Sequence, residues 1–211
     1  MTHHLTRRHL LALISGALAL AGTGLRAQTD EAALITDFGI GDVNAKVTID
    51  EFLSFTCPHC ANFHADVYPR LKADYIDTGK VRLVYHEVYF DQLGLLGAML
   101  ARCGGEMRYF GITDMLLDKQ MDWAGAGDND AAVAALKKIG LAAGLDDAAV
   151  DACLRDQAVA EALVAHYQKS IETNFPGETF GGTPSFIING AQHSNMDYAE
   201  LQAILDAELA K

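Results

Sequence analysis

The stretch Phe52-Leu53-Ser54-Phe55-Thr56-Cys57-Pro58-His59-Cys60-Ala61-Asn62-Phe63 carries an apolar run into a helical pattern through two cysteines with two residues between them. Upstream, Lys46 to Phe55 alternates as a strand does. Val47, Ile49, Leu53 and Phe55 share one face, and Thr48, Asp50, Phe52 and Ser54 the other. Downstream, Cys60, Phe63, Val67 and Leu71 fall at helical spacing, and Pro58 stands in the first turn, where a helix tolerates proline. Two thiols at a helix N-terminus can close a short disulfide. The first sulfur then meets unpaired amide N–H groups and the positive end of the helix dipole, both of which favour its anion. A stabilised thiolate makes the dithiol form comfortable and the disulfide form an oxidant. Cys57 and Cys60 are therefore expected to form a redox site.

The surrounding chain places that site in an α/β fold. Pro69 is expected to kink or divide the helix after the cysteines. Asp77-Thr78-Gly79-Lys80 reads as a turn and Val81 to Val88 as a second strand, so residues 46–90 form a βαβ unit. The dithiol lies at the carboxyl end of its first strand, where open α/β sheets place their sites. Residues 91–175 are rich in Ala, Leu and Gly and periodic at helical spacing. Helices are expected over Leu93–Cys103, Tyr109–Trp123, Asn129–Ala143 and Asp147–Thr173, the last in one piece or two. Asp128, Asn129 and Asp146 suit caps, and Gly104, Gly125 and Gly144 suit stops. Residues 176–211 return to strand character. Pro184-Ser185-Phe186-Ile187-Ile188 runs into Asn189-Gly190, a two-residue hairpin signal, followed by a short strand over Gln192–Asn195. An amphipathic helix closes the chain, with Tyr198, Leu201, Leu205 and Leu209 on one stripe and Ile204 on its flank. No Pro- or Ser-rich linker separates these parts, so the helical block reads as an insertion within one fold.

The N-terminus reads as an export signal over residues 1–27, followed by an extension over 28–45. Arg7-Arg8 precede an apolar run from Leu10 to Ala21, which is too short to span a bilayer, and small residues lead to Ala27. Thr6-Arg7-Arg8-His9-Leu10-Leu11 loosely matches a twin-arginine signal, which leaves the export route open. No cysteine precedes Cys57 to carry a lipid. Of the 16 basic residues three arginines lie in the signal, which leaves 13 against 28 acidic residues and a charge of −15. A surface this acidic, without clustered Lys and Arg, argues against nucleic acid as a partner.

Cys57-Pro58-His59-Cys60 within Phe55-Thr56-Cys57-Pro58-His59-Cys60, Glu51 six residues before Cys57, and Thr183-Pro184 ahead of a terminal hairpin and helix resemble the DsbA-like thiol:disulfide oxidoreductases. The resemblance covers essentially the whole chain after the signal. It implies a thioredoxin fold interrupted by an all-helical insertion, in a periplasmic monomer without cofactor or metal. It also implies a disulfide passed to newly exported proteins with reduced cysteines, and reoxidation by a membrane protein of the DsbB type. Cys57 would be the exposed nucleophile and Cys60 its shielded partner. A cis bond before Pro184 would bring the Thr183 backbone beside Cys57, where it can pair with an extended substrate segment. Thr183 stands where the strongest oxidases of the family tend to carry Val, and Thr recurs in its isomerases.

Other residues have readings of their own. His59 is expected to donate toward the thiolate and, as imidazolium, to stabilise it. Glu51 shares the buried face of its strand, so its pKa should rise and it could relay a proton to or from Cys60. A strand-edge acid reaching water, or one paired with a nearby base, is the alternative. Cys103 and Cys153, in an exported chain, are expected to bond to one another, two separate buried thiols being the alternative. His64, one turn after Cys60, lacks the second ligand pair of a zinc site, and Ala61 replaces the histidine that covalent haem attachment needs. Trp123, Tyr109, Phe110, Met99, Met107, Met115 and Met121 are expected in the helical core, a substrate groove beside the dithiol being the alternative. Two rival functions remain. One is a disulfide isomerase or reductase, disfavoured because residues 28–45 are too short for a dimerisation domain. The other is a non-catalytic binding or holdase module in which the two cysteines form only a structural bridge.

Overall fold

The computed structural model describes residues 35–211, so the signal read over 1–27 lies outside the described residues. β2 (Val47–Leu53) occupies the centre of a five-stranded sheet of order β1-β3-β2-β4-β5. It runs parallel to β3 (Val81–Glu87) and antiparallel to β4 (Ser185–Ile188), which pairs with β5 (Ala191–His193). Asn189 and Gly190 turn that hairpin with φ of 47° and 87°, the left-handed pair that a two-residue turn between twisted strands requires. β1 (Phe38–Ile40) pairs antiparallel with the outer edge of β3. It falls in the segment read as an extension, because so short a piece has no periodicity and owes its form to the edge it covers.

Helices cover both faces of β2. Val47, Ile49 and Leu53 pack into the main core with Phe63, Leu71 and Leu201. Phe52, on the face that the alternation leaves more polar, is also fully buried, with Val88, Phe175 and Ile187. The His86 ring stacks on it at 4.6 Å. After the cysteines, α1 (Pro58–Asp66) and α2 (Tyr68–Leu71) divide at Val67, since Pro69 has no N–H to close the turn before it. A single π-helical turn over Lys72–Ile76 leads on toward β3, and α9 (Tyr198–Ala210) buries Tyr198, Leu201 and Leu205.

Between β3 and β4 stand α3 (Gln92–Cys103), α4 (Glu106–Asp118), α5 (Gln120–Trp123), α6 (Asn129–Ala142), α7 (Asp147–Leu154) and α8 (Gln157–Asn174). The pattern read as one helix over Tyr109–Trp123 begins earlier and breaks at Lys119. The Asp147–Thr173 pattern breaks where Asp156 caps α8 by accepting the Val159 N–H. Asp128 and Asp146 cap α6 and α7 in the same way. Cys103 at the end of α3 is bonded to Cys153 in α7. Trp123, Tyr109 and Met99 are buried, and Phe110 and Met115 pack at the core's margin. Met107 and Met121 correct the core expectation, being 99% and 74% exposed. Helical spacing alone did not say that these two lie on the solvent side. The whole is a thioredoxin fold interrupted by a helical insertion.

Candidate active site

β2 hands the chain to α1 through Ser54, Phe55, Thr56 and Cys57. Cys57 is the N-cap of α1, in extended conformation, and Pro58 takes the first turn. The Cys57 carbonyl opens the helix by accepting the N–H groups of Cys60 and Ala61 at 3.1 and 3.3 Å. Both cysteines are free thiols, Cys57 partly exposed and Cys60 at 1% exposure. The turn sets their two sulfurs against each other chemically.

Cys57 is lowered from 9.0 to about 5, first because the Cys60 thiol donates to its sulfur. Burial opposes this. The main-chain N–H groups of Cys60 and His59 add to the lowering. Cys60 is driven far upward, first by the hydrogen bond it gives Cys57, then by burial and the neighbouring anion. The Ser54 N–H, 3.5 Å from its sulfur, opposes that rise only weakly. At neutral pH one thiol is therefore an anion and the other keeps its proton. His59 corrects the expectation placed on it. It is exposed, its gift to the anion is a main-chain N–H, and among the described residues no hydrogen bond joins its imidazole to Cys57.

The loop before β4 completes the site. The Thr183–Pro184 bond is cis, and the Thr183 carbonyl oxygen lies 3.2 Å from the Cys57 sulfur. The Thr183 hydroxyl is buried without a hydrogen-bond partner in the protein. Glu51 lies on interior strand β2, opposite Tyr85 and Phe186, so the strand-edge alternative does not hold. It is 3% exposed, its Oε2 has no partner in the protein, and burial raises its carboxyl from 4.5 to about 8. Its charge would further oppose ionisation of Cys60, which places the two groups in one buried neighbourhood.

Gln120 escaped the sequence reading. It reaches from α5 of the insertion, 4% exposed, and its Nε2 donates to the carbonyls of Phe55 at 2.8 Å and Cys57 at 2.9 Å. The Thr56 hydroxyl donates to Asp91 at 2.7 Å, and Asp91 caps α3 through the Gly94 N–H. A Cβ on Gly97 would come within 3.1 Å of Phe55, which shows how closely α3 approaches the cysteine loop. A glutamine in a helical pattern ordinarily reads as surface, so only the fold exposes its role. His64 sits 3.4 Å from Asp114 on α4, and among the described residues no cluster is arranged to hold a metal.

A family model described as thioredoxin matches residues 34–207. A provisionally named protein-disulfide oxidoreductase of Rickettsia bellii is 34% identical over 173 residues, 81% of this chain and 63% of that protein. The chain spans 60–63% of the length of the curated rickettsial relatives it matches. The crystal structure of Wolbachia pipientis alpha-DsbA1 superposes with a TM-score of 0.74 at 25% identity, covering 85% of this chain and 96% of that one. Oxidised BdbD of Bacillus subtilis superposes at 0.71 and 20% identity, over 83% and 94% of the two chains, a likeness of fold.

Three outcomes are expected from this geometry. In the reduced protein, thiolate ultraviolet absorbance should titrate with a midpoint near 5 and vanish in Cys57→Ser, and a midpoint near 9 would contradict the site. The folded protein holds the Glu51 proton up to about 8 and the unfolded chain only to 4.5, so the stabilisation is complete below 4.5 and lost as pH rises through 8. Relative to Glu51→Gln, the wild type should lose about 3 kcal/mol of stability in urea melts between acid and neutral pH. Gln120→Leu removes both bonds and leaves the buried Phe55 carbonyl without its donor, which should cost about 1–3 kcal/mol. Unchanged denaturant midpoints in that variant would show that its two bonds contribute nothing.

Proposed function

The chain belongs to the thioredoxin family, among its DsbA-like members, and from that premise we propose that it oxidises exported proteins by passing on the Cys57–Cys60 disulfide. One observation carries the reading. The two sulfurs, in one turn of α1, are shifted in opposite directions, Cys57 down to about 5 and Cys60 far up. Only the dithiol form gains from the Cys57 anion, so the disulfide form is driven to accept electrons.

The steps balance without a cofactor. A substrate thiolate attacks the Cys57 sulfur, a new S–S bond forms, and the Cys57–Cys60 bond breaks. Cys60 departs as a buried thiolate and takes the proton of Glu51, which is neutral below about 8. A second substrate thiolate then attacks the substrate sulfur of the mixed disulfide and expels Cys57 as its stabilised anion. The substrate has lost two electrons and gained a disulfide, while the protein holds them as one thiol and one thiolate. The Thr183 carbonyl, 3.2 Å from the Cys57 sulfur, lies where an extended substrate segment could pair with the chain.

The export pattern over residues 1–27 supports a periplasmic setting, and the DsbA-like family supports a membrane-bound DsbB-type protein as reoxidant. A monomer is the simplest assembly for the site, since every group invoked comes from one chain. Isomerisation is the second reading, favoured by Thr183, which stands where the strongest oxidases of the family tend to carry Val.

Purified oxidised protein should be given a reduced two-cysteine peptide and, separately, a substrate with scrambled disulfides. Rapid oxidation of the peptide, lost in Cys57→Ser, is expected. Activity on the scrambled substrate alone would overturn the oxidase in favour of the isomerase. A Cys57–Cys60 bridge that resists glutathione would reduce it to a structural crosslink in a binding module.

A further inference from the structure

A buried acid that has given its proton to Cys60 stays a desolvated carboxylate until a proton reaches it from solvent or returns at reoxidation. Glu51, at 3% exposure, has no direct access to water. Glu51 Oε2, the Tyr68 hydroxyl and Asp114 Oδ1 are all buried without a hydrogen-bond partner in the protein. Leaving such oxygens unmet costs about 1–3 kcal/mol each, and ordered water normally meets them.

These three groups come from β2, α2 and α4 and share one neighbourhood. Burial opposes ionisation of the Tyr68 hydroxyl first, and the carboxyls of Asp114 and Glu51 add to it. Tyr85, the cross-strand neighbour of Glu51, feels the same three groups. His64 binds the outer end together, its ring stacked on Tyr68 at 4.7 Å and its Nε2 3.4 Å from Asp114 Oδ1. Asp114 alone opens outward, with 43% of its side chain exposed although Oδ1 is covered. We propose that Tyr68 and Asp114 form the path along which Glu51 exchanges protons with solvent, His64 holding the two in place. The inference rests on the reading of Glu51 as the acid for Cys60.

The surrounding charges suit this direction of flow. Cys60, Tyr68 and Tyr85 are the titratable groups around Glu51. Asp114 faces His64 from α1, Asp118 from its own helix and Lys72 from the π-helical turn. Burial and Asp118 outweigh Lys72 and raise its carboxyl to about 6, so it gives up and regains a proton readily near neutrality. His64 is lowered by burial despite Asp118, which keeps its imidazole neutral and suited to holding a position. When a substrate is oxidised, Cys60 takes the Glu51 proton, the Glu51 carboxylate takes one passed along Tyr68 from Asp114, and Asp114 takes one from water. When the dithiol is reoxidised the path runs backwards, Glu51 releasing its proton to water through Tyr68 and Asp114 and taking that of Cys60. No electrons move in this part.

Steady-state oxidation of a reduced peptide, with glutathione disulfide recycling the enzyme, tests the path in water and in deuterium oxide. Tyr68→Phe and Asp114→Asn should slow turnover about tenfold and enlarge the solvent isotope effect. Added imidazole buffer should restore the rate in Asp114→Asn, and Asp114→Glu should stay near wild type. The equilibrium with glutathione should not move in any of the three, a result that a merely structural defect would not give. If Glu51→Gln is slow while Tyr68→Phe and Asp114→Asn match wild type in rate and isotope effect, the path is wrong and the acid remains. If Glu51→Gln is itself as fast as wild type, the reading beneath the path has failed.

Discussion

A sulfur anion at the first turn of α1 is the interaction around which the molecule is arranged. It needs a strand that stops at the sheet's carboxyl edge, a proline that gives up its N–H without loss, and donors aimed at one atom. β2 and Pro58 meet the first two needs. The donors come from the Cys60 thiol and the main chain of His59 and Cys60. Burial works against the anion, yet Cys57 stays partly exposed, so the penalty is the smaller effect. At Cys60 burial and the neighbouring charge act with the same sign, and nothing of comparable size resists them.

The helical insertion is a structural part of this arrangement. Gln120 holds the two carbonyls that flank Thr56, and Asp91 ties the Thr56 hydroxyl to the cap of α3. The cysteine loop is thus fixed from the sheet on one side and from the insertion on the other. A second buried tie joins insertion and sheet, where Arg102 and Tyr109 donate to Glu87 at the end of β3. Breaking one partner of such a buried pair would leave an uncompensated charge, which binds the two parts more strongly than the pair's net worth suggests.

What the sequence disclosed follows the range of the interactions involved. The Cys57–Cys60 spacing, the β2 alternation, the division at Pro69 and the Asn189-Gly190 turn are written in neighbouring residues. Burial of Glu51 was legible because its register with Val47, Ile49 and Leu53 is local too. β1 was not, since its conformation is lent by the edge of β3. Nor were the burial of Phe52 and the inward reach of Gln120, both settled by a distant segment folding over them. Met107 and Met121 show the converse, apolar residues at helical spacing that no neighbour came to cover. His59 shows that residue type can suggest a side-chain role where the backbone does the work.

The short outer strands also bear on how the molecule keeps to itself. A sheet's open rim offers unpaired amides and carbonyls to any extended chain nearby, and long rims invite polymerisation. Among the described residues the rims are β1 and β5, three residues each, outside the longer strands β3 and β2 and the hairpin strand β4. Strand addition to another copy, or to a misfolded bystander, finds almost nothing to grip.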